Sequence, residues 1–291
     1  MKNKKFVLLV LIPAFLHLFL FIIGPIITGI GISFFDYNPL HSVQQFIGFD
    51  NYIRLWSDPL FRKALFNTLI FVVFTVSLNV GLSLGIAILI NTYKSNRVRS
   101  LFRMVFFLPC VAPLVASSVV WSKSIFTTVN GLANVFLKSV GMAPVNWLGD
   151  PNVLMLSIVI FTLWADIGYN IVLFTAGLDS IPKEIYEASE VDGVSKYQQF
   201  KNITLPLLGR TFTFVLIMTI ISHFQMFAQF SVMAVKNGPL NSGLVMTSYI
   251  YKMAFELKDM GYASAISVVF FVIILIVSLV QQKMNKVEWT Y

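Results

Sequence analysis

The sequence is poor in charge: 12% of its 291 residues are Asp, Glu, Lys or Arg, against about 25% in ordinary soluble domains. Apolar residues make up 57%, and the mean hydropathy is +0.80. A soluble enzyme or a disordered tail is excluded, because the apolar runs are too long and uniform to close over one water-soluble core. The single cysteine, Cys110, excludes a disulfide framework or a Cys-built metal site within the chain. Three scattered histidines, His17, His41 and His223, form no cluster with Asp or Glu, which argues against a membrane-bound enzyme. No ten-residue window alternates with period two, so a β-barrel is not expected. There is also no internal repeat and no G-x-x-x-x-G-K-[ST] loop to cradle phosphates.

What is present is a set of apolar runs, each near the 20 residues needed to span about 30 Å of hydrocarbon. Six qualify, at residues 6–34, 64–90, 102–121, 153–177, 212–235 and 262–280. The chain is therefore expected to be an all-α integral membrane protein of one domain, residues 1–291. The start, Met1-Lys2-Asn3-Lys4-Lys5, resembles a secretory leader, but the apolar run behind it is too long and lacks a small-residue cleavage site, so it is expected to stay as an anchor. Basic residues orient the spans. Lys2, Lys4, Lys5, Lys94, Arg97, Arg99, Arg103, Lys183, Lys196, Lys201, Arg210, Lys283 and Lys286 fall on one side, thirteen of the 21, which places both termini in the cytoplasm of a multi-pass protein. The net charge of +8 thus reflects orientation in a bilayer rather than nucleic-acid binding. Pro13, Pro25, Pro109 and Pro113 each remove a backbone donor inside a span and predict kinks.

The longest inner loop, residues 178–210, reads as two short helices. Pro182 suits a first helical turn, and Ile181, Ile185 and Ala188 share a face at i, i+4, i+7. Gly193 supplies the stop. Ser195 and Gln198 form an S-x-x-Q capping box for a second helix, expected to end before Pro206. Glu184, Glu187, Glu190 and Asp192 make the first helix acidic, so an anionic leaflet would repel it and a protein partner suits it better.

Glu187-Ala188-Ser189, then Gly193 after three intervening residues and Ile203-Thr204-Leu205-Pro206 after nine more, are similar to the EAA motif of binding-protein-dependent ABC importer permeases. Ser189 stands where that family usually has alanine. Asn51-Tyr52, Asp58-Pro59-Leu60-Phe61, Ala64-Leu65-Phe66-Asn67-Thr68, Phe102-Arg103, Phe107-Leu108-Pro109, Trp147-Leu148, Ala176-Gly177-Leu178, Ile181-Pro182 and Gly261-Tyr262-Ala263-Ser264-Ala265 follow in the order of its carbohydrate-uptake class. The likeness extends to the maltose- and glycerol-phosphate-type membrane subunits. Lys236-Asn237-Gly238-Pro239 departs from the Thr-Gly-Gly-Pro common there.

The resemblance implies the six-helix type I importer fold in a bacterial cell membrane and transport of a sugar or oligosaccharide. It implies no catalysis and no cofactor in this chain, with ATP and Mg bound by partner subunits. The implied partners are a second permease, expected to be a distinct homologue, two ATP-binding subunits and an extracytoplasmic solute-binding protein, all within membrane lipid. Pro182, Glu184, Tyr186, Glu187, Ala188, Ser189, Asp192, Gly193, Ile203, Leu205 and Pro206 are implied to couple it to the ATPase.

Polar groups within spans are the candidate pathway residues, since unmatched polarity in hydrocarbon is costly. Asp166, Asn170, His223, Gln225 and Gln229 stand out, with Asn67 and Asn79 weaker; Gln225 and Gln229, four apart, would share a face. Helix-to-helix hydrogen bonding is the competing role for all of them. Alternative functions are an ion-gradient-driven secondary transporter, which would show two related halves and midplane ionisable groups, or an ABC permease for a non-sugar solute.

Overall fold

A span satisfies its backbone in hydrocarbon either as a helix or within a closed barrel, and the computed structural model is helical almost throughout. It describes residues 4–40 and 43–284, with side chains from residue 9 onward. Lys2, His41 and Lys286, and the side chains of Lys4, Lys5 and Phe6, lie outside the described residues. Five helical stretches are long and apolar enough to cross a membrane: Leu9–Ile32, Pro59–Thr92, Leu154–Asp179, Gly209–Met233 and Met260–Met284. A bent pair, Asn96–Val111 and Leu114–Ile125, makes a sixth span if taken together. These are numbered below as the first to sixth spans in chain order.

The third span is not a continuous helix over residues 102–121. Its halves meet at 90°, where Ala112 is extended (φ −70°, ψ 139°) ahead of Pro113, because a residue before proline avoids helical geometry. Pro25 and Pro206 behave differently. Each follows by two residues the end of a π-helical turn, Phe19–Ile23 and Phe200–Thr204, and the helix continues through it. The expected stop before Pro206 is therefore wrong: the wide π turn, in which the Leu205 N–H donates to Phe200 O, takes up the proline without ending the coil. The fifth span breaks without any proline or glycine at the break. Its long helix ends at Phe224, and a new turn starts at Ala228.

The chain divides into two compact units, Met1–Arg62 with Met246–Ile273 and Lys63–Val245 with Ile274–Tyr291. Within the first, no residue from Leu9 to Ile32 is buried, so that apolar helix depends on surroundings outside the chain. Outer-segment polar contacts organise the rest of this unit. Asn51 Nδ2 donates to Ser33 O (2.9 Å) and Phe35 O (3.0 Å). Asp58 accepts from the hydroxyls of Tyr249 and Tyr262, the latter at 2.6 Å. Arg54 pairs with Asp259 at 2.7 Å and lies over the Tyr262 ring. Partial burial pushes the Asp58 carboxyl up, but the two tyrosines and the N–H groups of Leu60 and Phe61 outweigh it and hold it below the usual carboxylate range. Burial and that same carboxylate push the Tyr249 hydroxyl up.

Within the second unit the first half of the third span packs along the fourth. Gly168 permits this approach, since a Cβ there would lie 2.0 Å from Phe106 O. Asn67 donates to Asn241 O (3.0 Å) and Leu244 O (2.8 Å), tying the second span to an outer loop in which Lys236, Asn237, Leu240 and Asn241 all have positive φ. Asn237 stands at φ +68°, where the resembled family's glycine would sit freely, and Asn is the side chain that best tolerates this region.

Candidate functional site

The loop at residues 178–210 forms a braced elbow. Its first helix is Lys183–Val191, with Pro182 as the N-cap. Gly193 adopts φ +73°; its N–H donates to Glu190 O (3.1 Å) and that of Val194 to Ser189 O (3.0 Å). Those two bonds define the Schellman close that a left-handed glycine allows. Ser195 and Gln198 make the expected reciprocal capping box at the start of Lys196–Gln199.

Two side-chain bridges lock the helices together. Ser189 Oγ donates to Tyr186 O (2.8 Å) and accepts from Gln199 Nε2 (2.8 Å). The Tyr186 hydroxyl meets Thr204 Oγ1 at 3.2 Å. The hydroxyl that distinguishes Ser189 from alanine thus links the two loop helices, and Ser189 is buried while its neighbours are exposed.

Burial within the elbow does not follow the apolar face of this helix. Tyr186 and Ser189, three apart, point toward the second helix; Ile181 is buried, but Ile185 and Ala188 are exposed with Glu184 and Glu187, and Val191 is 88% exposed. The exposed face of this helix thus mixes apolar and acidic side chains. Pro182 and Asp192 flank that face, whereas Ile203, Leu205 and Pro206 lie in the π turn and the coil that follows it. Glu190 is paired with Lys196, which holds its carboxyl below the usual range.

The elbow is anchored at its root. Asp179, the last residue of the fourth span, receives Arg103 Nη2 at 2.5 Å and also pairs with Arg99, which reaches Asn91 as well. Arg99 and Arg103, read from sequence as orientation signals and, for Arg103, also within the Phe102-Arg103 likeness, therefore clamp the junction between the fourth span and the elbow.

A second feature is a cavity of about 340 Å³ in the same unit. Cys110 reaches it from the third span, Asp166, Tyr169 and Asn170 from the fourth, and Met218, Thr219, Ser222 and His223 from the fifth. Three of the five pathway candidates, Asp166, Asn170 and His223, are thus brought together. Gln225 and Gln229 are not among the lining residues and do not share a helical face: Gln225 is exposed beyond the end of its helix, and Gln229 is buried in the next turn beside Met226 Sδ. Asn170 Nδ2 donates to Asn79 Oδ1 (2.7 Å) and Thr219 Oγ1 (2.9 Å), so it also joins three spans. Tyr169, Thr219 and Ser222 escaped the sequence reading because Tyr, Ser and Thr are ordinary in membrane helices. Their periodicity with Asp166 and His223 was the available signal.

Comparison with known proteins gives the same architecture. Residues 80–286 match the family model described as binding-protein-dependent transport system inner membrane component. The arabinooligosaccharides transport system permease protein AraP of Bacillus subtilis is 33% identical, over 94% of this chain and 86% of its own length. The lactose transport system permease protein LacF of Rhizobium radiobacter is 34% identical, over 92% of this chain and 90% of its own. A chain of a bacterial alginate ABC transporter, solved in complex with an alginate pentasaccharide-bound periplasmic protein, superposes with a TM-score of 0.85 at 21% identity, covering 98% of this chain and 95% of that one.

Proposed function

The chain belongs to the family of binding-protein-dependent transport system inner membrane components, the non-enzymatic permease subunits of ABC importers, and on that premise we propose that it conducts a saccharide and is driven through the 178–210 elbow. The observation that carries the coupling half of this reading is the elbow itself. It is fastened by a Schellman close, a capping box, two side-chain bridges and an arginine clamp, yet it leaves Ile185, Ala188 and Val191 in water among acidic residues.

A transmitter must be stiff. Moving a two-state population from 1:99 to 99:1 takes about 5.5 kcal/mol of differential interaction, which a loose tether would dissipate. In this reading Pro182, Glu184, Tyr186, Glu187, Ala188, Ser189, Asp192 and Gly193 form the seat for an ATP-binding partner, and Ile203, Leu205 and Pro206 carry its motion into the fifth span. ATP and Mg sit in that partner. A second permease completes the pathway, an external solute-binding protein delivers the cargo, and both termini face the cytoplasm.

The saccharide half rests on the named substrates of the relatives and on a cavity furnished with an acid, an imidazole, hydroxyls and an amide, groups that exchange hydrogen bonds with sugar hydroxyls. The test is purification of the tagged chain from its source membrane followed by reconstitution. Recovery with an ATP-binding subunit and a second permease, and ATPase activity raised by saccharide-loaded binding protein, is expected. Isolation as an ATP-independent unit that transports along an ion gradient would overturn it.

A further inference from the structure

The chemistry of the cavity narrows the saccharide class. Among its lining residues the side chains that can carry a formal charge are Asp166, His223, Cys110 and Tyr169, of which Asp166 is the strongest acid, and neither Lys nor Arg is present. Among the described residues no salt bridge reaches Asp166. His223 is 3% exposed, and its Nδ1 lies 2.8 Å from Thr219 O. A carbonyl oxygen only accepts, so in the neutral ring Nδ1 carries the proton and Nε2 keeps its lone pair. Nε2 is buried and has no partner among the described residues. Thr219 Oγ1 already donates to Val215 O (2.6 Å) and accepts from Asn170, leaving Ser222 and Tyr169 as the adaptable hydroxyls.

The cavity therefore presents the Asp166 carboxyl and no cationic donor, with the acceptor His223 Nε2 buried in its wall. Its complement is a ligand rich in hydroxyl donors. A carboxylate or sulfonate group brings only acceptors and a like charge, and both are penalised where water is scarce.

We infer that this cavity is a charge filter that passes neutral, hydroxyl-rich saccharides and rejects acidic ones, with Asp166 as the specificity-determining residue. The inference rests on the permease reading above and divides the saccharides carried by such proteins, since the arabinooligosaccharide and lactose substrates of two relatives are neutral whereas alginate is acidic.

Cys110 makes the field measurable without knowledge of the substrate. It lines the cavity and is the single cysteine of the chain. In the assembled transporter in lipid vesicles, Cys110 is treated with methanethiosulfonates bearing either a trimethylammonium or a sulfonate group; each converts the thiolate to a mixed disulfide and releases methanesulfinate. Rates are read by the mass of this chain and normalised to the same reagents acting on free 2-mercaptoethanol. The normalised preference for the cationic reagent should be about tenfold or more, as expected for a unit charge close by in a medium less polarisable than water, and Asp166→Asn should return it to near one. A normalised ratio near one in the unmodified protein, a ratio unmoved by Asp166→Asn, or a Cys110 that reacts with neither reagent would each overturn the inference.

A second arm separates this inference from the permease reading. Saccharide-stimulated ATPase activity with a flat charge ratio sinks only the filter. A charged cavity in a chain whose ATPase partner responds to no saccharide sinks the transport reading instead.

Discussion

Substituting Gly193 gives a graded test of the elbow. At φ +73° an L-residue with a Cβ meets a backbone penalty of about 1 kcal/mol, smaller for Asn, which visits the left-handed region more readily. No heavy atom lies within 4 Å of a Cβ built at Gly193, so the backbone conformation alone, not crowding, sets the cost for Asn and Ala. Proline adds to it. Its ring fixes φ near −65°, removes the N–H that bonds Glu190 O, and displaces the Val194 to Ser189 bond. With about 1 kcal/mol for each lost hydrogen bond, the local loss reaches about 3–4 kcal/mol.

If the closed elbow is the form that engages the motor, the ratio of closed to open elbow falls about fivefold for Gly193→Ala, where about 1 kcal/mol is lost. For Gly193→Pro it falls about a hundredfold or more. Uptake into vesicles and ATPase stimulation by loaded binding protein should follow the order Gly, Asn, Ala, Pro, while the amount of chain inserted in the membrane stays constant. Equal transport by Gly193→Ala and Gly193→Pro, or an Asn variant as poor as the Pro variant, would refute the argument that this φ governs coupling.

Ser189→Ala should lower the elbow's stability by about 1 kcal/mol and reduce transport about as much as Gly193→Ala does; faster amide exchange across 183–191 is the readout. Asp179→Asn should weaken the clamp on Arg99 and Arg103 by about 1 kcal/mol, an effect that shrinks in high salt because the carboxylate is partly exposed. Thermal unfolding in detergent at two ionic strengths checks it. Asp58 is held below its ordinary value by Tyr249 and Tyr262, so its contribution is complete above about pH 4, the unfolded value, and is lost as pH falls further through the folded value. Unfolding temperatures measured downward from pH 5 should therefore drop more steeply in the unmodified chain than in Asp58→Asn.

Features set by neighbouring residues could be read directly. Gly193 closes its helix and Ser195 with Gln198 opens the next, because each needs only residues within one turn. The six spans follow from run length. Contacts between distant segments could not be read this way. Asp58 meets Tyr249 and Tyr262 across 191 and 204 residues of sequence, and Asn170 meets Asn79 across 91; no local pattern specifies such pairs. The buried side of Lys183–Val191 is not legible from its apolar spacing for a related reason, since Ser189 is buried by a hydrogen bond from the more distant Gln199. The break after Phe224 lacks proline or glycine and arises where the chain turns through Gln225 into a separate short helix.

The central claim is that the acidic elbow is seated in a nucleotide-driven partner. Cysteines placed at the exposed Glu184 and Val191, in a chain whose Cys110 is replaced by Ser, can be treated with a short bifunctional maleimide in native membranes. The account predicts a covalent adduct with an ATP-binding subunit whose yield changes when ATP is bound. Adducts with lipid alone, or cysteines fully open to aqueous reagents throughout the ATP cycle, would contradict it.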